Sequence, residues 1–319
     1  MIGRPRWRAF RAATLAAAAA VLLASATFPL RAATKKRKPR RPEPTAVPRP
    51  ADPDRVAFQT ADGVTIVGSW KPLLGSSAAS SSAAQGAPVA PAVLLLHDFS
   101  RERREWEVLS HDLLVHGLAS LAIDLRGHGE STRGGGGEAV RLSPRLLRDP
   151  NGFPRDVKAA LSWLHQRSPA VGVLGLSTGA NLAILATANG WAEAAVAVSA
   201  NSDSLQGLAG PLSFTPKGTL FLASVLDPGR EASARKLLAV CQEPKKLLLF
   251  PGAAHNMTLL AENLEARRVA FEWLAARLGA VSPTTVGPGP GGTFLSPMVG
   301  AGAVPPTPGL PPTPTPGPR

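Results

Sequence analysis

Five consecutive residues, GLSTG at positions 175–179, place a serine between two glycines at the junction of two apolar segments. The segment before it, residues 171–176, predicts a buried strand, and the Ala-rich residues 180–188 predict a helix. A sharp turn at such a junction holds the serine hydroxyl exposed, and the N-terminus of a helix favours negative charge that develops nearby. We therefore predict that Ser177 is a nucleophile. The alternative is a Gly-Ser turn in an ordinary strand-to-helix junction.

A serine hydroxyl is a poor nucleophile without a base, and the chain offers six histidines for that role. His255 follows the apolar stretch 246–250, so it would lie on a loop just beyond a strand end. We predict that His255 is the base. His97 ends another apolar strand and is expected to support the neighbouring loop, and His128 lies in a turn and is expected to be structural. The remaining histidines fall on predicted helices and are expected at or near the surface: His111, His116 and His165.

A histidine base needs a third group that orients its ring and stabilises its charged form. Asp227 follows the apolar stretch 219–224, one strand before His255, and we predict that it takes this role. Its alternative reading is a loop carboxylate in an Asp-Pro turn. Asp203, which follows the preceding strand, is the second candidate for the acid.

The apolar segments alternate between short runs and amphipathic stretches, which predicts an α/β fold with a mostly parallel sheet covered by helices on both faces. Asp62-Gly63 predicts a hairpin between the first two strands. Active sites of such sheets lie beyond the carboxyl ends of the strands, where the three candidate residues fall. The predicted strands are 56–60, 64–70, 93–96, 119–123, 171–176, 194–199, 219–224 and 246–250, and the predicted helices are 105–116, 156–166, 180–188 and 259–278.

Three further motifs resemble the α/β-hydrolase superfamily, in particular its small dienelactone-hydrolase-like and esterase-like members. Together with GLSTG and the Asp227 loop they are LLLHDFS (94–100), AIDLRGHGES (122–131) and PGAAHNM (251–257), and the resemblance covers about residues 58–278. The string from Asp124 to Ser131 is the most specific of them. The resemblance implies the α/β-hydrolase fold, the chain order Ser, Asp, His, and an oxyanion hole formed by the backbone N–H groups of Thr178 and Phe99.

One residue departs from the pattern of that superfamily. Its members usually have His-Gly where this chain has His97-Asp98, so a side chain stands where glycine lets the backbone turn freely. A carboxylate close to the oxyanion would oppose the charge that must form there. We expect Asp98 to point away from the site, with the loop rearranged; reduced or altered activity is the alternative outcome.

The stretch between Ser199 and Thr219 is short, about 20 residues, whereas many relatives insert a helical cap there. We therefore expect a minimal cap or none, and an open cleft suited to small or flexible acyl groups. Residues 133–138 and 139–153 are expected to form a rim, and the Ser/Ala/Gly stretch between Leu74 and Pro91 a flexible loop.

The net charge of +13 suggests a nucleic-acid binder, but the charge is unevenly distributed. Residues 1–55 carry thirteen basic and three acidic side chains, against 22 and 19 in the rest of the chain. The basicity therefore belongs to the N-terminal end, and no nucleic-acid-binding motif accompanies it. We expect no nucleic-acid partner, although the basic arm could contact a membrane or the cell envelope weakly.

The sequence does not indicate an oligomeric state. The lone Cys241 cannot form an internal disulfide.

The N-terminus has the features of an export signal: four arginines, an uncharged run from position 12, and the small residues Ala24-Ser25-Ala26. We predict cleavage after Ala26 and a periplasmic or extracellular protein; the alternative is an uncleaved membrane anchor. Residues 27–55 are predicted to be a disordered basic Pro-rich arm, 56–280 the α/β-hydrolase domain, and 281–319 a disordered Pro/Thr/Gly-rich tail.

These features predict a serine hydrolase that cleaves small-molecule carboxylic esters or lactones through an acyl-enzyme. Ser177 would attack, His255 would take the proton, Asp227 would hold the ring, and no cofactor or metal would be needed. Two alternatives remain open: a serine peptidase on the same three residues, and a catalytically silent hydrolase fold that serves as an exported binding module.

Overall fold

The computed structural model describes residues 51–73, 90–209 and 215–280. The predicted signal peptide, the tail 281–319, most of the basic arm and most of the predicted loop between Leu74 and Pro91 lie outside these ranges. No helix within the described ranges is long and apolar enough to cross a bilayer.

The described residues form an eight-stranded sheet in the order β1-β2-β4-β3-β5-β6-β7-β8. The first pair, β1 with β2, and the pair β2 with β4 are antiparallel, and all other neighbouring strands are parallel. The strands are β1 Arg55–Gln59, β2 Thr65–Lys71, β3 Ala92–Leu96, β4 Ala119–Ile123, β5 Val171–Leu176, β6 Ala194–Val198, β7 Lys217–Ser224 and β8 Gln242–Phe250. The predicted mostly parallel sheet with an N-terminal hairpin is confirmed.

Helices cover both faces of this sheet. They are α1 Glu107–Val115, α2 Phe153–His165, α3 Thr178–Ala188, α4 Ser202–Ala209, α5 Arg230–Val240, α6 Met257–Glu262 and α7 Leu264–Leu278, with 3-10 turns at Arg103–Trp106 and Pro144–Arg148. Alternate side chains of β3 enter two separate cores: Leu94 and Leu96 pack in the core that includes α2 and α3, and Val93 and Leu95 in the core that includes α1 and α7. Because both sets of side chains are buried, such a strand appears in the sequence as a continuous apolar run.

The C-terminal helix predicted over 259–278 is two helices, so that prediction was wrong. Asn263 has φ −109° and ψ 99°, and its side-chain Oδ1 accepts a hydrogen bond from Ala266 N at 2.9 Å. An asparagine that satisfies a free N–H in this way begins a new helix, which periodicity alone does not reveal.

Two other helices, α4 and α5, were not predicted from the sequence. The first predicted helix begins with the 3-10 turn Arg103–Trp106, and β8 starts four residues before the predicted strand 246–250.

Candidate active site

Ser177 lies between the end of β5 and the start of α3 in a strained backbone conformation. Its φ is 47° and its ψ is −101°, a region that residues with a side chain rarely adopt. Ser177 N donates a hydrogen bond to Val198 O at 2.9 Å, and Ser177 O accepts one from Asn181 N at 3.1 Å. These bonds to β6 and to α3 hold the turn in place.

The two glycines around Ser177 are required by close backbone approach. A Cβ on Gly175 would lie closer than 3.0 Å to backbone atoms of Gly179, and a Cβ on Gly179 would lie closer than 3.0 Å to backbone atoms of Leu96. Real Cβ atoms do not show such separations, and backbone atoms cannot rotate away as the end of a side chain can. The start of α3 therefore packs directly against the ends of β5 and β3.

His255 and Asp227 form the hydrogen-bonded pair that the sequence predicts. His255 Nδ1 and Asp227 Oδ2 are 2.7 Å apart, with Asp227 buried and the His255 side chain 38% exposed. The two loops that carry them are joined by backbone hydrogen bonds, from Val225 N to Phe250 O at 2.9 Å and from Leu226 N to Gly252 O at 2.8 Å. With Nδ1 committed to the carboxylate, Nε2 is the nitrogen left for proton transfer.

Ser177 follows β5, and the His255–Asp227 pair lies on the loops after β7 and β8 of the same parallel part of the sheet, with β6 between them. Within the described residues, no direct hydrogen bond joins Ser177 to the pair. Among the described residues, neither Ser177 Oγ nor His255 Nε2 has a hydrogen-bond partner. Catalytic hydrogen bonds are often long in ligand-free sites and shorten when substrate binds. Asp203, the second candidate acid, is exposed in the first turn of α4, where its carboxylate accepts a hydrogen bond from Ser202 Oγ at 3.2 Å.

The expectation that Asp98 points away from the site was wrong. Asp98 Oδ1 accepts hydrogen bonds from Phe99 N at 2.7 Å and from Thr178 N at 3.3 Å, the two N–H groups that the resemblance assigned to an oxyanion hole. Asp98 Oδ2 accepts a third, from Asn256 Nδ2 at 3.0 Å. An ionised carboxylate only accepts hydrogen bonds, so three converging donors hold it where they meet.

Two histidines fix the loop that carries Asp98 and Phe99. His97 Nδ1 donates to Asp98 O at 2.7 Å, and its Nε2 accepts from Leu125 N at 3.0 Å. His128 Nε2 donates to Phe99 O at 2.8 Å. Because C=O and N–H point in opposite directions across a trans peptide, a bond to Asp98 O aims Phe99 N–H the other way. Burial lowers the pKa of His97 to about 4, so its ring stays neutral, as this pattern requires.

The motif from Asp124 to Ser131 supports the site through hydrogen bonds to the surrounding segments. The Asp124 carboxylate accepts from the backbone N–H groups of Arg103 and Glu130, at 2.8 and 2.9 Å, and also from the Arg103 guanidinium. Ser131 Oγ accepts from Val67 N at 2.9 Å. A Cβ at Gly129 would overlap the Asp124 carboxylate, which explains the glycine. The motif therefore ties the end of β4 to β2 and to the loop that carries Asp98 and Phe99.

Sequence reasoning missed two residues of this cluster, Ser199 and Asn256. Both have a φ of 52°, so three strained non-glycine residues, counting Ser177, meet among the described loops. Ser199 is fully buried, and its Oγ accepts a hydrogen bond from Asn256 N at 3.2 Å. The one available signal was the position of Asn256 directly after His255. Within the described ranges, no group of His, Cys, Asp and Glu side chains is arranged to hold a metal ion.

The sheet order, the helices on both faces and the turn at Ser177 define the α/β-hydrolase fold. The dienelactone hydrolase of Anabaena variabilis is similar to this chain with a TM-score of 0.51 at 22% identity, over 72% of this chain and 100% of that one. An α/β serine hydrolase without lid from Xanthomonas campestris gives 0.52 at 15% identity, over 72% and 97%. At these identities the likeness establishes the fold alone.

Sequence comparison reaches a shorter part of the chain. No protein-family model matches it. The 2-succinyl-6-hydroxy-2,4-cyclohexadiene-1-carboxylate synthase of Salmonella heidelberg (strain SL476) is 43% identical over 60 residues, which is 18% of this chain and 23% of that protein. The chain thus matches about a quarter of the length of this curated relative.

Proposed function

We propose that this protein is a serine hydrolase that cleaves carboxylic esters or lactones through an acyl-enzyme on Ser177. The observation that carries the proposal is the bond between His255 and the buried Asp227, on loops that follow strands of the same sheet edge as Ser177. The fold neighbours support it, because one is named a dienelactone hydrolase and another a serine hydrolase. The open cleft expected from the sequence suits small ester substrates.

In the first half of the proposed reaction, Ser177 Oγ bonds to the acyl carbon while His255 Nε2 takes the hydroxyl proton. The carbonyl electrons move onto oxygen, and the backbone N–H groups of Thr178 and Phe99 stabilise the resulting negative charge. Loss of one such donor typically costs about 100-fold or more in rate. The ester C–O bond then breaks, and the departing alcohol takes the proton from His255.

In the second half, water attacks the acyl carbon and gives a proton to His255. Collapse of the second tetrahedral intermediate releases the acid and returns the proton to Ser177 Oγ. Asp227 stabilises the charged ring in both halves and keeps the proton-transfer nitrogen turned away from itself. Every proton and electron pair is supplied by these groups, the ester and water, so the reaction calls for no cofactor.

A second candidate is favoured by one specific observation. The carboxylate of Asp98 fills the position that the oxyanion would need. In a protein of this fold that has lost catalysis and serves as a binding module, Asp98 could stay in that position permanently, because no oxyanion would have to form there. A serine peptidase on the same residues is the alternative within hydrolases, because fold and site residues do not by themselves set the substrate.

We also propose that the protein is exported, with residues 1–26 removed as a signal peptide. The four N-terminal arginines, the uncharged run after them and the small residues up to Ala26 support this. Mass spectrometry of the protein recovered from its own cell envelope and medium tests it. A mature N-terminus at Thr27 is the expected result, and an intact Met1 in a membrane fraction would favour the uncleaved anchor.

The function is tested by treating the full chain with a fluorophosphonate probe and a p-nitrophenyl ester series of increasing acyl length. We expect labelling at Ser177, found by peptide mapping, and ester turnover that Ser177→Ala abolishes. Ser168→Ala is the matched control, because Ser168 Oγ is buried without a hydrogen-bond partner among the described residues. Folded protein that neither labels nor turns over any ester or amide would favour the binding module.

A further inference from the structure

The oxyanion position of this site is occupied by the protein itself. Asp98 Oδ1 lies 2.7 Å from Phe99 N and 3.3 Å from Thr178 N, within hydrogen-bond reach of both. Two backbone donors that converge on one negatively charged oxygen are the arrangement that stabilises a tetrahedral oxyanion. A substrate carbonyl and Asp98 Oδ1 cannot use the same two N–H groups at once.

Asn256 and Ser199 form a clamp that holds the other carboxylate oxygen of Asp98 in place. Asn256 Nδ2 donates to Asp98 Oδ2 at 3.0 Å, and Asn256 N donates to Ser199 Oγ at 3.2 Å. Asn256 follows His255 directly, so the clamp belongs to the loop that carries the proposed base. Displacing Asp98 therefore breaks three hydrogen bonds and frees a carboxylate beside the reacting carbon.

We propose that Asp98 determines the substrate specificity of this site through its charge. The acyl carbonyl must displace the carboxylate from the oxyanion position, and the displaced carboxylate stays next to the acyl group, because its Cα precedes Phe99 N. The site then favours acyl groups that carry a quaternary or protonated amine a few bonds from the carbonyl and rejects acyl groups that carry a carboxylate. This inference rests on the proposed hydrolase function.

Asp98 itself supplies the negative charge beside the acyl group, because the buried Glu105 near it largely keeps its proton below about pH 7. Glu105 lies close enough to Asp98 for the two acidic groups to interact, and burial raises the pKa of Glu105 to about 7. Arg101 is a cation that acts on Glu105, and its side chain is exposed, where solvent screens it. A half-buried carboxylate a few ångströms from an ammonium group is worth about tenfold or more in binding.

Three p-nitrophenyl esters with acyl chains of equal reach test the proposal on the full-length protein. They are the ester of γ-trimethylammoniobutyrate, its neutral isostere with a tert-butyl group in place of trimethylammonium, and the ester of hemiglutarate. For the unmodified chain we expect kcat/KM to fall about tenfold or more from the cationic to the neutral ester, and again from the neutral to the anionic one. Addition of salt should compress both ratios.

Two variants separate the charge of Asp98 from its occupancy of the oxyanion position. Asp98→Asn keeps a hydrogen-bond acceptor in place but removes the charge, so both ratios should shrink to about twofold or less. Asp98→Gly removes the occupant and restores the residue usual at this point of the fold, so the neutral ester should react about tenfold faster or more. The fluorophosphonate should also label Ser177 faster, since its phosphoryl oxygen needs the same two N–H groups.

The outcomes distinguish this inference from the proposed function. Labelling and turnover at Ser177 with the same three-ester ratios in the unmodified chain, Asp98→Asn and Asp98→Gly would overturn the role of Asp98 alone. Folded protein that is unlabelled and inactive in all three forms would overturn the hydrolase function itself. If Asp98→Gly fails to fold by circular dichroism, the charge ratios of Asp98→Asn decide the question.

Discussion

Asn256 Nδ2 donates a hydrogen bond to Asp98 Oδ2 at 3.0 Å across 158 positions of sequence. This bond joins the loop of the proposed base to the loop of the proposed oxyanion hole. One carboxylate therefore connects the two loops. Any ligand that displaces Asp98 also removes a partner from the residue next to His255.

Loosening this bond should make the site more reactive. Asn256→Gly removes the side-chain donor, and the glycine it introduces adopts the φ of 52° at this position without strain. We expect fluorophosphonate labelling of Ser177 to be faster than in the unmodified chain and slower than in Asp98→Gly, because the two backbone donors still hold Asp98. The control is Asn189→Gly, which changes an asparagine at the end of α3. Slower labelling in Asn256→Gly with an intact fold would show that Asn256 supports His255 instead.

The two candidate acids make opposite predictions. Asp227→Asn should lower ester turnover by about 10³- to 10⁴-fold without unfolding the protein, because an amide does not stabilise the charged ring or its correct tautomer. Asp203→Asn should leave turnover unchanged, because Asp203 is exposed on α4 and, among the described residues, bonds to its neighbour Ser202. Steady-state kinetics on the neutral ester checks both. Equal losses in the two variants would contradict the assignment of Asp227.

The glycines of the turn around Ser177 should tolerate no side chain. Gly175→Ala would force a Cβ against backbone atoms of Gly179, so we expect a loss of about 3 kcal/mol or more in the free energy of unfolding. Gly136→Ala is the matched control, because the one atom near its new Cβ is the end of the flexible Glu138 side chain. Urea denaturation measures both. A Gly175→Ala protein as stable as the control would mean that the turn at Ser177 relaxes easily.

Glu105 should make the stability of the fold depend on pH. Burial raises its pKa to about 7, against 4.5 for the free side chain, and Arg101 and the Asp98 backbone N–H oppose this shift without cancelling it. Between about pH 4.5 and 7 the folded chain keeps a proton that the unfolded chain has released. The contribution of Glu105 to stability therefore falls as pH rises through this interval.

Replacement of this carboxyl by an amide isolates the effect. Glu105→Gln should match the unmodified chain in Tm near pH 4.5 and exceed it by on the order of a few degrees above pH 7. Differential scanning calorimetry at both pH values makes the comparison. The control is Glu262→Gln, which makes the same replacement at an exposed glutamate at the end of α6. A Tm difference that is constant with pH would show that Glu105 ionises freely in the folded chain.

The sequence alone determined most of the scaffold of this protein. The central strands β3, β5 and β6 were readable as apolar runs, because no polar side chain interrupts them, and β5 has the predicted bounds. The glycines at 175 and 179 indicated that two backbone segments pass closely. The structure shows that these are the backbone of Gly179 against Gly175 and the backbone of Leu96 against Gly179. Ser177, Asp227 and His255 could be selected because each follows the end of a predicted strand, and parallel strands bring such ends to one edge.

Only the tertiary structure decided what happens at that edge. The direction of the Asp98 carboxylate depends on donors that lie one, 80 and 158 positions away, and no local pattern in the chain records how those donors converge. The positive φ of Ser199 and Asn256 is likewise imposed by packing against the propensity of the residues themselves. Local sequence fixes where strands and turns form because it acts through neighbours, whereas the state of the site is fixed by contacts between segments that meet only in the folded chain.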